Sequence, residues 1–323
     1  MTKKKILTFA VFVFLLLALG AGIFKVTLFL KDCFYWVEIA ENPRLIEAGI
    51  SRQSFLENVS RLKPYLKKDA EPLSLSAKAA FSLFVGPEKE EALFEKNSQD
   101  PLPIASLTKL VSALIITDNY SIDQRVVISP EVAAMPGNGE GNLKAGDVFA
   151  VGDLLKIMLV ESNNSAALAL AQIEGEKEFV YLMNAKVEDM GLQRTLFSNP
   201  TGLDPKNGLI INQSSAAELA EIAKFIIKER PEIFEILLME EFSLYNIEGI
   251  LNHKAVNTNE LLGEIPLIIG GKTGETPGSG GCLLLAVQAP KSRGYLVNVI
   301  LDSPDRFSEM EKLIDWIKNS YQW

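Results

Sequence analysis

Histidine and cysteine are scarce in this chain. Its 323 residues include one histidine, His253, and two cysteines, Cys33 and Cys282. A Ser-His-Asp triad would have to use His253, which lies in a polar segment with no flanking signal for such a site. With so few histidines and cysteines, a zinc hydrolase would need carboxylates for most of its ligands. In addition, no His-Glu-x-x-His or Cys-x-x-Cys pattern is present. The sequence therefore gives no reason to expect a metal or an organic cofactor, and we interpret both cysteines as unpaired.

Basic residues are outnumbered by acidic ones. The chain has 32 lysines and arginines against 41 aspartates and glutamates, a formal net charge of −9. This balance argues against nucleic acid as a partner. The length suits one large domain or two small ones, with enough residues for a substantial core.

The amino-terminal segment is strongly apolar. Three lysines at positions 3–5 precede an uncharged run over residues 6–24, and residues 26–30 extend the apolar character. This length can span a hydrocarbon core, and the lysines favour a cytoplasmic start. We interpret residues 1–30 as an uncleaved signal anchor with the rest of the chain outside the cytoplasm; a cleaved signal peptide, which would release a secreted protein, is the alternative. Residues 31–75 are mixed and charged, and we expect a stalk or linker.

The folded domain is expected to begin near Ser76. Alternating apolar residues predict strands at both ends of this region, with a block of helices between them. The arrangement indicates an α+β fold in which one sheet is flanked by helices. The predicted strands are 77–85, 91–96, 265–273, 282–289 and 295–302, and the predicted helices are 104–116, 151–173 with an interruption at 161–164, 179–190, 214–229, 232–239 and a final one after residue 306.

A Ser-x-x-Lys pair stands at the head of the first of these helices. Ser106 and Lys109 lie three positions apart, so the lysine amine can reach the serine hydroxyl on one face of a helix. The free backbone N–H groups at a helix start also favour negative charge that develops beside the serine. The pair is a plausible nucleophile and base, although short motifs of this kind are usually ordinary exposed residues.

Two further short motifs follow in order. Ser162-Asn163-Asn164 interrupts the helical segment, where serine and asparagine commonly serve as caps and turns. Gly270-Gly271-Lys272-Thr273-Gly274 ends a predicted strand, where a glycine turn is the ordinary interpretation. Together the three motifs form the set known from penicillin-binding proteins and class A β-lactamases.

The likeness extends beyond these motifs to serine-type D-alanyl-D-alanine carboxypeptidases, a family of low-molecular-mass penicillin-binding proteins. It covers about residue 76 to the end, so residues 76–323 are expected to form the catalytic domain. The resemblance implies a β-lactamase/transpeptidase-like fold in three layers, with a mainly antiparallel sheet, flanking helices and an all-helical lobe. The segments that resemble the family most are 77–109, 143–171, 197–203 and 257–284.

The resemblance also assigns roles. Ser106 would attack the penultimate D-alanine carbonyl of a peptidoglycan stem peptide, Lys109 would accept its proton, and Ser162 would relay a proton to the leaving amine. The implied partners are stem peptides as substrates and β-lactam antibiotics as covalent inhibitors. The remaining roles are substrate-backbone binding by Asn164, carboxylate binding by Lys272 and Thr273 beside Gly274, and an oxyanion hole formed by the backbone N–H groups of Ser106 and Glu275.

Some alternatives stay open at this point. A D,D-endopeptidase acting on peptidoglycan cross-links would use the same residues, and a non-catalytic envelope scaffold could keep the fold. A class A β-lactamase is disfavoured because no suitable Glu-x-x-x-Asn occurs around residues 197–205. Glu275 departs from the family pattern by placing an acidic side chain near an expected carboxylate site, which leaves the substrate preference open.

Overall fold

The structure, a computed structural model, describes residues 64–135, 143–205, 212–292 and 294–323. The predicted anchor at residues 1–30 and most of the predicted linker lie outside these residues. Among the described residues, no helix is both long enough and apolar enough to cross a membrane.

Thirteen short and long strands are found in the described ranges. They are β1 (Tyr65–Leu66), β2 (Ala79–Val85), β3 (Glu90–Lys96), β4 (Leu102–Pro103), β5 (Arg125–Val127), β6 (Val148–Ala150), β7 (Gln213–Ser214), β8 (Glu241–Tyr245), β9 (Leu251–Val256), β10 (Ile268–Thr276), β11 (Gly280–Gln288), β12 (Tyr295–Ser303) and β13 (Tyr321–Gln322).

The same part of the chain contains eight α-helices and a short 3₁₀ turn at Ala105–Thr108. The helices are α1 (Lys109–Asn119), α2 (Pro130–Ala133), α3 (Val151–Val160), α4 (Asn164–Ala171), α5 (Glu176–Asp189), α6 (Ala216–Glu229), α7 (Pro231–Leu237) and α8 (Arg306–Ser320).

The central layer is a five-stranded antiparallel sheet in the order β10-β11-β12-β2-β3. Successive residues of a strand face opposite sides of a sheet. In β11, Leu283 and Leu285 therefore pack in the core beneath α8, whereas Leu284 and Ala286 pack in the core shared with the other helices. The sheet is thus buried on both faces, and the predicted α+β fold in three layers is confirmed.

Helix α8 covers one face of the sheet by a simple periodic pattern. Its buried apolar residues are Met310, Leu313, Ile314 and Ile317, the spacing that places side chains on one side of a helix. Asp305 begins the helix by accepting a hydrogen bond from the backbone N–H of Ser308. The expected final helix is therefore present and packs as its sequence predicts.

Helix α1 lies at the centre of the helical lobe on the other face. Its residues from Lys109 to Ile116 are all buried, and α3, α5 and α6 pack around it. Because α1 directly follows the turn that carries Ser106, this dense packing fixes the position of that serine. The predicted helix at 104–116 begins later than expected, since Ser106 itself lies in the 3₁₀ turn before α1.

The hairpin of β8 and β9 has no counterpart in the sequence-based prediction, which assigned no element between residues 239 and 257. The two strands pair antiparallel from Glu241 opposite Val256 to Tyr245 opposite Leu251. Asn246 closes the turn, because its Oδ1 accepts hydrogen bonds from the backbone N–H groups of Glu248 and Ile250. The strands are short and only half-buried, so their apolar alternation is weak.

Short strands join distant parts of the chain around this frame. Strand β4, just before Ser106, pairs with β7, and β1 pairs with β13 at the carboxyl end. The pairing of Gln213 and Ser214 in β7 moves the start of α6 to Ala216, two residues after the predicted start. Ser215 then caps α6 by accepting a hydrogen bond from the N–H of Glu218.

Candidate active site

Ser106 is held in a tightly constrained turn between β4 and α1. The preceding residue, Ala105, has a φ of 46°, a left-handed conformation that costs energy for any residue with a side chain. Two glycines approach this turn closely. A Cβ on Gly202 would lie 2.0 Å from the Ala105 carbonyl oxygen, and one on Gly274 would lie 3.0 Å from the Ser106 nitrogen. The backbone of the turn is thus fixed by close contact with two other chain segments.

Lys109 is fully buried beside the serine. Its Nζ lies 2.8 Å from Ser106 Oγ, 2.7 Å from Asn164 Oδ1 and 2.7 Å from the Thr201 carbonyl oxygen. A neutral amine has two N–H donors and one lone pair. Asn164 and Thr201 supply acceptors for the two donors, so the lone pair is available to accept the Ser106 hydroxyl proton.

The surroundings of Lys109 favour that neutral form. Burial lowers the pKa of Lys109 well below its ordinary value, and the charge of nearby Lys272 lowers it further. Burial has this effect because an ammonium loses its hydration in the interior. No carboxylate is among the three groups hydrogen-bonded to its amine. The geometry and the pKa shift together give the amine the properties of a general base.

The interruption between α3 and α4 brings Ser162 to the same site. Asn163 caps α4, since its Oδ1 accepts a hydrogen bond from the backbone N–H of Ala166. Ser162, with a φ of 63°, is thereby directed to β10, where Lys272 Nζ donates to Ser162 Oγ at 2.8 Å. The predicted break in the helix is therefore present, and it joins the second motif to the third.

Lys272 is the second buried amine. It is 1% exposed, and it also donates to the Thr273 carbonyl oxygen at 3.0 Å. Burial lowers the pKa of Lys272 to about 7, and the charge of Arg306 contributes to the shift. Near neutral pH this amine is therefore divided between its charged and neutral forms.

A cavity of about 590 Å³ opens above these groups. Its lining includes Ser106, Ser162, Thr273, Gly274 and Glu275. The structure thus brings together every residue that the sequence predicted for the site, with Lys109, Asn164 and Lys272 buried directly beneath. Within the described residues, no cluster of three or more histidine, cysteine, aspartate or glutamate side chains could hold a metal ion.

The Glu275 side chain turns toward Arg306 and forms an ion pair with it. This arginine was not part of the predicted site, because it follows the last strand of the sheet, 34 positions after Lys272 in the sequence. It lines the cavity together with Glu275, so its positive charge there is balanced by that carboxylate. Thr273 is also supported by a residue outside the prediction, since its Oγ1 lies 2.5 Å from Thr258 Oγ1.

A loop at residues 197–203 supplies the Thr201 carbonyl to Lys109. Asn199 folds this loop on itself, because its Oδ1 accepts from the N–H groups of Thr201 and Gly202. Asn212 anchors the loop by donating to Thr108 Oγ1 at 3.0 Å and to the Asn199 carbonyl oxygen at 2.8 Å. The loop resembled the family in sequence, but only the structure shows which of its atoms faces the lysine.

Two more residues beside the site were not predicted from the sequence. Glu161, which lines the cavity, and His253 of β9 are both buried and lie in hydrogen-bonding contact. His253 was set aside because its neighbours in sequence are polar. The β8–β9 hairpin, which the sequence did not predict, is what carries it to the end of α3.

The chain is similar to known proteins along most of its length. A family model described as D-alanyl-D-alanine carboxypeptidase matches residues 67–305. The D-alanyl-D-alanine carboxypeptidase DacF of Bacillus subtilis (strain 168) is 29% identical over 267 residues, which cover 80% of this chain and 67% of that protein. The chain spans 57 to 58% of the length of several other curated carboxypeptidases that it matches.

Solved structures show the same fold. The crystal structure of D-alanyl-D-alanine carboxypeptidase from Mycobacterium tuberculosis H37Rv is 26% identical with a TM-score of 0.69, covering 78% of this chain and 95% of that one. Penicillin-binding protein D2 from Listeria monocytogenes, in its cefotaxime-bound form, is 27% identical with a TM-score of 0.63, covering 76% of this chain and 99% of that one. The predicted β-lactamase/transpeptidase-like fold is confirmed.

Replacing Gly202 by alanine tests the constraint on the Ser106 turn. The new Cβ would overlap the Ala105 carbonyl oxygen, so we expect a loss of about 3 kcal/mol in unfolding free energy and loss of covalent labelling of Ser106 by a fluorescent penicillin. Gly191→Ala is the matched control, because Gly191 also has a positive φ but has open space around it. Gly191→Ala should lower the unfolding free energy by about 1 kcal/mol and should be labelled by the penicillin at the normal level. Normal labelling of Gly202→Ala would contradict the argument.

Proposed function

Because the chain belongs to the D-alanyl-D-alanine carboxypeptidase family, we propose that it removes the terminal D-alanine from peptidoglycan stem peptides through an acyl-serine intermediate. The observation that carries this proposal is the environment of Lys109. Its amine lies 2.8 Å from Ser106 Oγ, and its two other partners are both acceptors. This arrangement activates a serine without histidine.

In the first step, Ser106 Oγ forms a bond to the penultimate D-alanine carbonyl carbon as its proton passes to Lys109. The negative charge that develops on the carbonyl oxygen is stabilised by the backbone N–H groups of Ser106 and Glu275. Gly274 supports this assignment, because its lack of a side chain lets β10 approach within contact distance of the Ser106 nitrogen.

In the second step, the C–N bond breaks and the proton from Lys109 reaches the leaving amine through the Ser162 hydroxyl. Ser162 lines the cavity, and Lys272 Nζ donates a hydrogen bond to its Oγ at 2.8 Å. Asn164 is assigned to the peptide backbone of the substrate. Water then attacks the acyl-serine and releases the shortened peptide.

The terminal carboxylate of the substrate is assigned to the positive end of the cavity. Lys272 supplies the charge there, and the Thr273 hydroxyl supplies a hydrogen bond. The same groups suit the carboxylate of a β-lactam, so we also propose β-lactams as covalent inhibitors. An endopeptidase acting on cross-links would share this chemistry, and a cross-linked dimer assayed beside a monomeric pentapeptide distinguishes the two activities.

Labelling of the full-length chain with a fluorescent penicillin tests the acyl-serine mechanism. We expect a covalent adduct on Ser106, none on Ser106→Ala, and a fall of at least about 10³-fold in the labelling rate of Lys109→Ala, since the general base is removed. Circular dichroism checks that both variants are folded. Normal labelling of Lys109→Ala would exclude that lysine as the base, and an unlabelled, folded wild-type chain would favour the non-catalytic scaffold.

The pH dependence of substrate binding tests the role of Lys272. With a pKa of about 7, its charged fraction falls from about nine tenths at pH 6 to about one tenth at pH 8. We therefore expect the KM for a carboxylate-ended peptide to rise about tenfold over this range. The C-terminal amide of the same peptide, measured as a competitive inhibitor, lacks the carboxylate and should show a constant Ki. A pH-independent KM would argue against Lys272 as the carboxylate ligand.

We propose that residues 1–30 anchor the protein in the cell membrane with its amino terminus in the cytoplasm and the catalytic domain on the cell-wall side. The apolar run and its three preceding lysines support this proposal. The full-length chain should remain in membranes after alkaline carbonate washing, and deletion of residues 1–30 should move it to the soluble fraction. Recovery of the intact chain without detergent would contradict the anchor.

A further inference from the structure

The single histidine of the chain, His253, forms a hydrogen bond with the carboxylate of Glu161, the residue before Ser162. His253 Nε2 lies 2.9 Å from both carboxylate oxygens of Glu161, and His253 Nδ1 lies 2.7 Å from Asn252 Oδ1. The two side chains are only 6% and 8% exposed. A carboxylate–imidazole contact buried to this extent is much stronger than one at the surface, because solvent does not screen it.

The same carboxylate is also tied to the other side of Ser162. Asn163 Nδ2 donates to Glu161 Oε1 at 2.6 Å, while Asn163 Oδ1 accepts from the N–H of Ala166 at 2.8 Å. Glu161 thus connects β9, through His253, with Asn163, the residue that caps α4. Ser162 lies between these two attachments.

The backbone of Ser162 needs such support. Its φ of 63° is unfavourable for a serine, and conformations of this kind persist only where the surroundings hold them. Thr258, two residues after the end of β9, adds a further link, because its N–H donates to the Val160 carbonyl oxygen at 3.1 Å. The end of α3 is therefore attached at two points, through Val160 and Glu161, to β9 and the residues that follow it.

We propose that Glu161 and His253 are positioning residues that orient the Ser162 hydroxyl for protonation of the leaving amine. The inference rests on the proposed function, because it assigns the pair to one step of that reaction. Neither residue donates or accepts the transferred proton. Their effect is to keep Ser162 Oγ within reach of the leaving nitrogen when the C–N bond breaks.

Leaving-group dependence separates this role from a purely structural one. An amine must be protonated as it leaves, whereas a thiolate leaves without a proton. Displacement of Ser162 should therefore slow acylation by a D-alanyl-D-alanine peptide more than acylation by the corresponding thioester. General loss of folded protein would lower both rates equally. The ratio of the two kcat/KM values is the informative quantity, since kcat/KM excludes the later hydrolysis of the shared acyl-enzyme.

The experiment compares this ratio in the full-length wild type, His253→Ala and His253→Gln. We expect His253→Ala to lower the peptide-to-thioester ratio by at least about tenfold. His253→Gln should recover most of the loss, because its carboxamide N–H can still donate to Glu161. Leu244→Ala is the matched control. It removes a buried side chain from β8, opposite His253 in the hairpin, and should leave the ratio unchanged.

An unchanged ratio in folded His253→Ala overturns the proposal, as does an equal shift in Leu244→Ala. If His253→Ala does not fold, the isosteric Glu161→Gln variant provides the test, and its ratio should fall in the same direction. Wild-type protein that hydrolyses neither substrate would overturn the proposed function and this inference together. Hydrolysis of both by the wild type, with no difference between variants, would overturn the inference alone.

Discussion

The burial of one lysine amine is the constraint on which the rest of the site depends. Lys109 lies at the first position of α1, in the centre of the helical lobe, and its amine is removed from water. An ammonium there would lose its hydration without gaining an adjacent carboxylate, so the neutral form is favoured. This amine is enclosed by the helices, the 197–203 loop and β10. Together they exclude water from it and hold it within hydrogen-bonding distance of Ser106.

The two buried lysines have the same side chain but different surroundings. Lys109 faces a hydroxyl, a carboxamide oxygen and a backbone carbonyl oxygen, whereas Lys272 donates to the Ser162 hydroxyl and the Thr273 carbonyl oxygen. Burial lowers the pKa values of both amines, that of Lys272 to about 7. The charge that remains on Lys272 also favours a neutral Lys109.

Much of the site could be predicted because its residues lie in local patterns. Ser106 and Lys109 share one helical face, Asn163 caps a helix, and the glycines of Gly270–Gly274 mark a close backbone approach. The rest depends on long-range packing. Thr201 contributes only a carbonyl oxygen, which every residue has, and Arg306 begins a helix far along the chain. His253 has no local signal at all, since its partner Glu161 lies 92 residues away and the half-buried hairpin that carries it has only a weak strand pattern.

Two residues at the site have a strained, left-handed backbone conformation. Ala105, with a φ of 46°, directly precedes the proposed nucleophile Ser106. Ser162, with a φ of 63°, is itself the proposed proton relay. Each has close contacts around it. Gly202 and Gly274 pack closely against Ala105, and the hydrogen-bonded pair of Glu161 and His253 adjoins Ser162. Strain of this kind is stable only where neighbouring contacts outweigh it. The positions of the two hydroxyls are therefore set by the packing of the whole domain, which explains why residues distant in sequence contact both turns.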